Sequence, residues 1–139
     1  MARGIDYKAL ADFRYQIRLF LNFSEQAART EGIEPQQHQA LLAIKGLPHG
    51  TSPTIGALAE RLQIHHHSAV ELGDRLESKG LIERRRSALD GRVVLLRLTS
   101  AGEKLLRKLS ASHHEELQTA GPRLLGALKK VAGARKPRR

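Results

Sequence analysis

The chain has 139 residues and a mass of 15.4 kDa, the size of one domain. Its 24 Lys and Arg against 14 Asp and Glu give a formal charge of +10, which points to a polyanionic partner, nucleic acid before membrane. There is no cysteine, so disulfides, thiol redox sensing, cysteine nucleophiles and zinc fingers are excluded together.

Six of the net positive charges lie at the end of the chain, on Lys129, Lys130, Arg135, Lys136, Arg138 and Arg139. The body alone is therefore only about +4. Residues 133–139 form a basic tail that reads equally as a solvated solubility run or as a nonspecific phosphate-binding arm. The opening MARGIDYKALADFR lacks the continuous apolar core of a signal peptide, and no run approaches the ~18 apolar residues of a membrane span. A soluble, cytoplasmic protein with no membrane association is expected.

In chain order, residues 6–31 predict a first helix capped by Asp6 and stopped by Gly32. Leu10, Phe13, Ile17, Leu21 and Ser24 share one face of it, widened by Phe20 and Phe23. A helix of about 25 residues spans ~38 Å, longer than a domain this small needs to cover its own core. The surplus apolar face is expected to meet a second subunit. Arg14 and Arg18 at its edge are read as rim salt-bridge residues that reach water, with an anion-binding pair as the alternative.

Pro35 suits the first position of a second helix with Leu41, Leu42 and Ile44 inward and Gly46 as its stop. Leu47 to Pro53 is a loop by its Pro and Gly content. Thr54 caps a third helix with Ile55, Leu58, Ala59 and Leu62 inward, and after Gln63 and Ile64 a fourth begins at His65 or His66. Two short helices so briefly joined must turn sharply, a helix-turn-helix layout.

Ala69, Leu72, Gly73 and Leu76 form the inner face of the fourth helix, which Gly80 ends. Leu81 to Glu83 predict a strand, Arg84 to Arg92 a turn, and Val93 to Leu98 the returning strand. Thr99 or Ser100 caps a fifth helix, and from Ser100 the capping-box position falls on Glu103. Leu105, Leu106, Leu109, His113 and Leu117 make its stripe, and Gly121 with Pro122 are expected to break it from a last helix bearing Leu124, Leu125, Leu128 and Val131.

The run from Thr54 to Leu106 resembles the MarR-type winged helix-turn-helix transcriptional regulators. The resemblance is carried by an LA-x-x-L third helix, a D-R-L-x-x-x-G-L-I-x-R run, a D-x-R hairpin tip and an L-T-x-x-G helix start, in that order and spacing. It implies a mainly α fold with a small β wing: a single domain in which residues 35–99 are the winged helix-turn-helix lobe and 6–31 and 100–132 are dimerisation helices. It also implies a sequence-specific, ligand-responsive repressor that binds a pseudo-palindromic double-stranded DNA operator as a homodimer. The fourth helix would read the major groove and the wing the minor groove.

On the residues, Arg92 at the hairpin tip suits the negative potential of a narrow minor groove, with Asp90 holding the wing and its arginines in place. Arg84, Arg85 and Arg86 are expected to divide between phosphate contacts and pairing with Asp74 or Asp90, because strand alternation sends neighbours to opposite faces. Thr54 and Ser68 can donate to phosphates near helix starts. The recognition helix departs from the family's usual Ser, Arg and Thr by offering His65, His66 and His67. Imidazole can donate or accept at a base edge and attracts phosphate when protonated, which predicts binding that strengthens as pH falls through about 6.5. Glu71 can accept from cytosine N4, or pair with Arg75 one turn on. Arg75 also belongs to this DNA-facing set. Base preference is the part of the family picture that transfers least.

The dimer interface is expected to use Leu10, Phe13, Ile17, Leu109, His113, Leu117, Leu124 and Leu128. A small aromatic or lipophilic effector fits the family, and all five aromatics (Tyr7, Phe13, Tyr15, Phe20 and Phe23) lie in the first helix, where a core and dimer role explains them equally well. Neighbouring histidines on a helix diverge by about 100°, so the triplet is not read as a metal site. His113 is read as an interface or packed histidine and His114 as a surface one, with a zinc-sensing site as the remaining alternative. A Gly-rich phosphate loop, an HExxH motif and a nucleophile-elbow serine are all missing, so no enzyme and no cofactor are expected. The other class that fits is a winged-helix module binding RNA or protein, anchored by its basic tail.

Overall fold

The computed structural model describes residues 4–133. Five helices and one hairpin follow in order: α1 (Tyr7–Thr30), α2 (Pro35–Lys45), α3 (Ile55–Leu62), α4 (His66–Ser78), β1 (Ile82–Arg86), β2 (Val94–Leu98) and α5 (Ser100–Ala132). The mainly helical winged architecture read from the sequence is the one found. Two compact units divide it: residues 28–109 form one, and the two ends of the chain, up to Ala27 and from Ser110, form the other.

Local chemistry sets most of the boundaries. The Ala9 N–H donates to Asp6 Oδ1 at 3.0 Å and starts α1, and Gly32, at φ 84°, follows its last turn. Pro35 opens α2, where the Glu34 N–H donates to Gln37 Oε1 at 3.0 Å. Thr54 Oγ1 accepts from the Ala57 N–H at 3.1 Å and caps α3.

Within the unit of residues 28–109, the core is built from Leu41, Leu58, Leu76, Ile82, Leu96 and Leu109, with His38 fully buried among the polar residues. α4 buries Ala69, Leu72, Gly73 and Leu76, the inner face expected of it. β1 and β2 pair antiparallel with Ile82 opposite Leu98, Arg84 opposite Leu96 and Arg86 opposite Val94. The Leu96 N–H also donates to the Pro53 carbonyl at 2.7 Å, anchoring the segment before α3 to the wing.

Several expectations need correction. Arg84 to Arg86 belong to β1 rather than to the turn, because their backbone pairs with Leu96, Leu95 and Val94. Leu42 is exposed; the buried side of α2 carries Gln37, His38, Ala40, Leu41 and Ile44. Thr99, not Ser100, caps α5: its Oγ1 accepts from the Gly102 N–H at 3.1 Å and donates to the Gly80 carbonyl at 2.6 Å. Glu103 pairs instead with Lys45 at 2.9 Å.

α5 runs unbroken through Pro122, so there is no separate last helix. A proline normally crowds the Cβ of the residue before it, and here that residue is Gly121, which has none. The one carbonyl deprived of its donor belongs to Gln118, on an exposed turn where water can replace the bond.

In the unit formed by the chain ends, α1 and α5 meet at Ser24, whose buried hydroxyl lies 2.8 Å from His113 Nε2. Phe20 and Phe23 place their rings edge-on to the same imidazole, at 6.0 and 5.2 Å between centroids. No described helix is long and apolar enough to cross a membrane.

Candidate nucleic-acid interface

The helix-turn-helix is made by one residue in an unusual conformation. Gln63 ends α3 at φ 54°, ψ 50°, the left-handed region, which a side chain enters at a cost of ~1 kcal/mol or more. Its side-chain Nε2 donates to the Glu60 carbonyl at 2.8 Å, and the Ile64 N–H donates to the Ala59 carbonyl at 3.0 Å. Nothing in the sequence marks this turn residue, since glycine or asparagine is the usual signal there.

The turn delivers His65 as the N-cap of α4, with no side-chain cap bond, and His66 and His67 into the first turn. All three are exposed. The His65 and His67 rings stack nearly parallel, 7° apart with centroids 5.8 Å apart. Further along, Glu71, Asp74 and Arg75 are exposed on the side opposite the buried face, and Ser68 is half-buried. The Glu71 to Arg75 pair suggested by their i, i+4 spacing is not among the ion pairs of the described residues, so Glu71 keeps an open carboxylate on this face.

The three wing arginines have three separate tasks. Arg84 turns back to α4, with Nη2 2.7 Å from Asp74 Oδ1 and Nη1 3.3 Å from Glu77 Oε1. Arg85 Nε lies 2.9 Å from Glu83 Oε1, on the face that Glu83 shares with Arg97 at 3.7 Å. Arg86 Nη1 donates to the Gly91 carbonyl at 2.7 Å and braces the loop. Of the two carboxylates expected to pair with these arginines, Asp74 does so, and Asp90 takes Arg92 instead.

Asp90 Oδ1 accepts from the Arg92 N–H at 3.0 Å and from Arg92 Nε at 3.2 Å, while Oδ2 lies 3.3 Å from Nη2. The Arg92 guanidinium, and after it the Arg92 backbone N–H, hold the Asp90 carboxyl below the usual carboxylate range. The Arg92 side chain is nonetheless 92% exposed. It is aimed by its partner without being covered. Thr54 is half-buried and already occupied as a cap acceptor, leaving only its hydroxyl hydrogen for a phosphate.

Among the expected interface residues, Leu10, Leu117 and Leu128 are exposed, while Phe13, Ile17, His113 and Leu124 are half-buried. Leu109 is 1% exposed within its own chain, so it is a core residue with no surface for a partner. Lys79, which donates to the Gly32 carbonyl at 3.2 Å, and Leu89 at the wing apex were not singled out from the sequence. A lone leucine between Ser87 and Asp90-Gly91 was the available signal for the second.

An αL turn between two short helices, an outer helical face bare of packing and an arginine-bearing hairpin define a winged helix-turn-helix protein. The model of the MarR family matches residues 31–93. A Thauera aromatica protein assigned as a transcriptional regulatory protein for the hcr operon is 32% identical over 114 residues, covering 82% of this chain and 67% of that one. The HTH-type transcriptional repressor MdtR of Bacillus subtilis is 33% identical over 78 residues, 56% of this chain and 48% of its own. Among solved structures, a variant of Staphylococcus aureus MepR bound to an oligodeoxyribonucleotide superposes with a TM-score of 0.67 at 23% identity, covering 94% of this chain and 99% of that one. The chain belongs to the MarR family of transcriptional regulators.

Proposed function

We propose that the protein is a ligand-responsive repressor that binds a pseudo-palindromic DNA operator as a homodimer, in the cytoplasm and without catalytic activity. The observation that carries this reading is the outer face of α4: His66, His67, Glu71 and Arg75 are exposed polar residues on a helix whose other side is locked into the core. Such a helix fits the major groove, and the wing, with Arg92 at its tip, lies beside it for the minor groove. The net charge of +10 favours the phosphate backbone. Relatives lend support: MdtR is named a repressor, and the MepR variant was solved on an oligodeoxyribonucleotide.

One copy of α4 reaches half a site. Two copies in a symmetric dimer would meet successive major grooves roughly 34 Å apart, which is why the target is read as a pseudo-palindrome. Exposed leucines on α1 and α5 supply apolar surface for such a dimer. A small aromatic or lipophilic effector would act by favouring one spacing of the two lobes over the other.

Selection of bound duplexes from a random pool, followed by footprinting, tests the reading. A protected pseudo-palindrome bound by two copies is expected. Equal binding to unrelated RNA and DNA by a monomer would replace this reading with a general winged-helix nucleic-acid module.

A further inference from the structure

The wing loop is held by bonds at nearly every position. The Ser87 N–H donates to the Val93 carbonyl at 2.8 Å, and the Val93 N–H donates to the Asp90 carbonyl at 2.9 Å. Ser87 Oγ accepts from the N–H groups of Leu89 and Asp90 at 3.2 and 3.4 Å, and Arg86 and Arg92 close the loop from either side. On this braced loop the Leu89 side chain touches almost nothing, with 99% of its surface open to water. The other exposed leucines of the described residues lie on helices, whereas this one stands alone at the apex of a loop.

We infer that Leu89 is a DNA-contacting residue that packs against the deoxyribose walls of the minor groove and supplies a salt-independent share of operator affinity. The inference rests on the operator-binding reading and adds a contact that the arginines cannot make. Arg86 and Arg92 bracket the apex and outnumber its one carboxylate, Asp90, so the surface around Leu89 keeps a positive balance that suits a polyanion better than an apolar protein groove. Within a duplex, the sugar walls of the minor groove are the apolar surface lying between two rows of phosphates. Minor-groove proteins do place leucine and similar apolar side chains in that groove, in their case as wedges between base steps. Because the loop is already ordered by its own hydrogen bonds, burying Leu89 there loses little conformational entropy.

Apolar and ionic contacts differ in their response to salt. A phosphate-neutralising arginine sets the slope of log affinity against log salt, and an apolar contact releases no counterion. Measuring operator affinity across a salt series therefore separates them. Leu89→Ala is expected to weaken binding on the order of tenfold at every salt concentration with the slope unchanged. Leu89→Met should keep most of the affinity, and Leu89→Asn, similar in size but polar, should lose as much as Ala. Arg92→Ala serves as the contrast, with weaker binding and a slope shallower by about 1. Far-UV circular dichroism and melting temperature, both expected unchanged, show that each variant is folded. Affinity of Leu89→Ala equal to wild type, or a changed slope, overturns the inference while leaving the operator reading intact. Wild-type protein that selects no duplex overturns that reading, and the inference falls with it.

Discussion

The Arg84 guanidinium donates through Nη2 to Asp74 Oδ1 at 2.7 Å and so ties the first wing strand to α4. Its other nitrogen reaches Glu77 at 3.3 Å, and the whole group lies over Gly73, where a Cβ would stand 3.0 Å from Nη2. The arginine thereby sets where the wing lies relative to α4. Its side chain is 28% exposed and both carboxylates are more open, so water screens the pair and limits it to ~1 kcal/mol. Arg84→Ala is expected to lower unfolding free energy by about that amount and to speed amide exchange in β1 more than in α3. Unchanged exchange in β1, followed by mass spectrometry, would show that the strand does not depend on this bridge.

Gly102 is where α5 crosses the start of the wing. A Cβ there would run into the carbonyl oxygen of Leu81, and both backbones are fixed: the Thr99 N–H donates to that same carbonyl at 3.0 Å, and the Gly102 N–H to Thr99 Oγ1 at 3.1 Å. Alanine would gain ~1 kcal/mol of helix propensity, but a clash against backbone cannot be relieved by a rotamer change. Gly102→Ala is expected to destabilise by about 2 kcal/mol net, read as a lower urea midpoint. A midpoint at or above wild type would mean that α5 slides freely past Leu81.

These two contacts mark what the sequence could and could not disclose. Caps at Asp6 and Thr54 and the buried face of α4 are legible because they are set by residues three or four apart, whereas the cap of α5 stays open between Thr99 and Ser100 until the structure shows Thr99. The Asp90 and Arg92 pair is more local still. Leu42 was misplaced because Leu41, Leu42 and Ala43 are apolar in succession, so periodicity alone does not choose the inward one. Pro122 misled because the breaking rule assumes a Cβ on the preceding residue. Leu109 reads from the sequence as an interface residue because a stripe tells which face is covered and not by what. Glu71 and Arg75 have the spacing for a pair, yet spacing only permits one on a solvated surface.

The wing ion pair makes a prediction about pH. A carboxyl depressed below its ordinary value contributes stability that is present above that value and lost only as pH falls through the depressed one. The Asp90 and Arg92 pair is therefore expected to hold the wing unchanged between pH 5 and 8 and to release it only in acid. Amide chemical shifts of Leu89 to Val93 followed against pH check this, and a change between pH 5 and 8 would mean that the pair does not hold the loop. His65, His66 and His67 are tested at fixed pH and salt: replacing all three with Ala is expected to weaken operator binding, and unchanged affinity would remove them from the DNA contact.

Leu117, Leu124 and Leu128 follow one another at seven and four residues along one face of α5, and Leu128 is 44% exposed in the single chain. A carboxylate placed there would have to be buried unpaired if two copies associate through this face, a cost of several kcal/mol. Leu128→Glu is therefore expected to sediment at half the wild-type mass while keeping its helical circular dichroism. A variant that sediments with the wild type would move the dimer contact elsewhere.

Apart from Gly133, the basic tail predicted from the sequence falls outside the described residues, and its role can be separated by charge alone. Truncation after Val131 removes Arg135, Lys136, Arg138 and Arg139. If all four neutralise phosphates, the salt slope should become shallower by roughly 0.9 each, ~3.6 in all, and by nothing if the tail only keeps the protein soluble. The preferred duplex should be the same in both cases, because phosphate contacts carry no base information. A selection experiment on truncated and full-length protein checks this directly. A shifted consensus would mean that the tail reaches base edges, and the site would then extend beyond α4 and the wing.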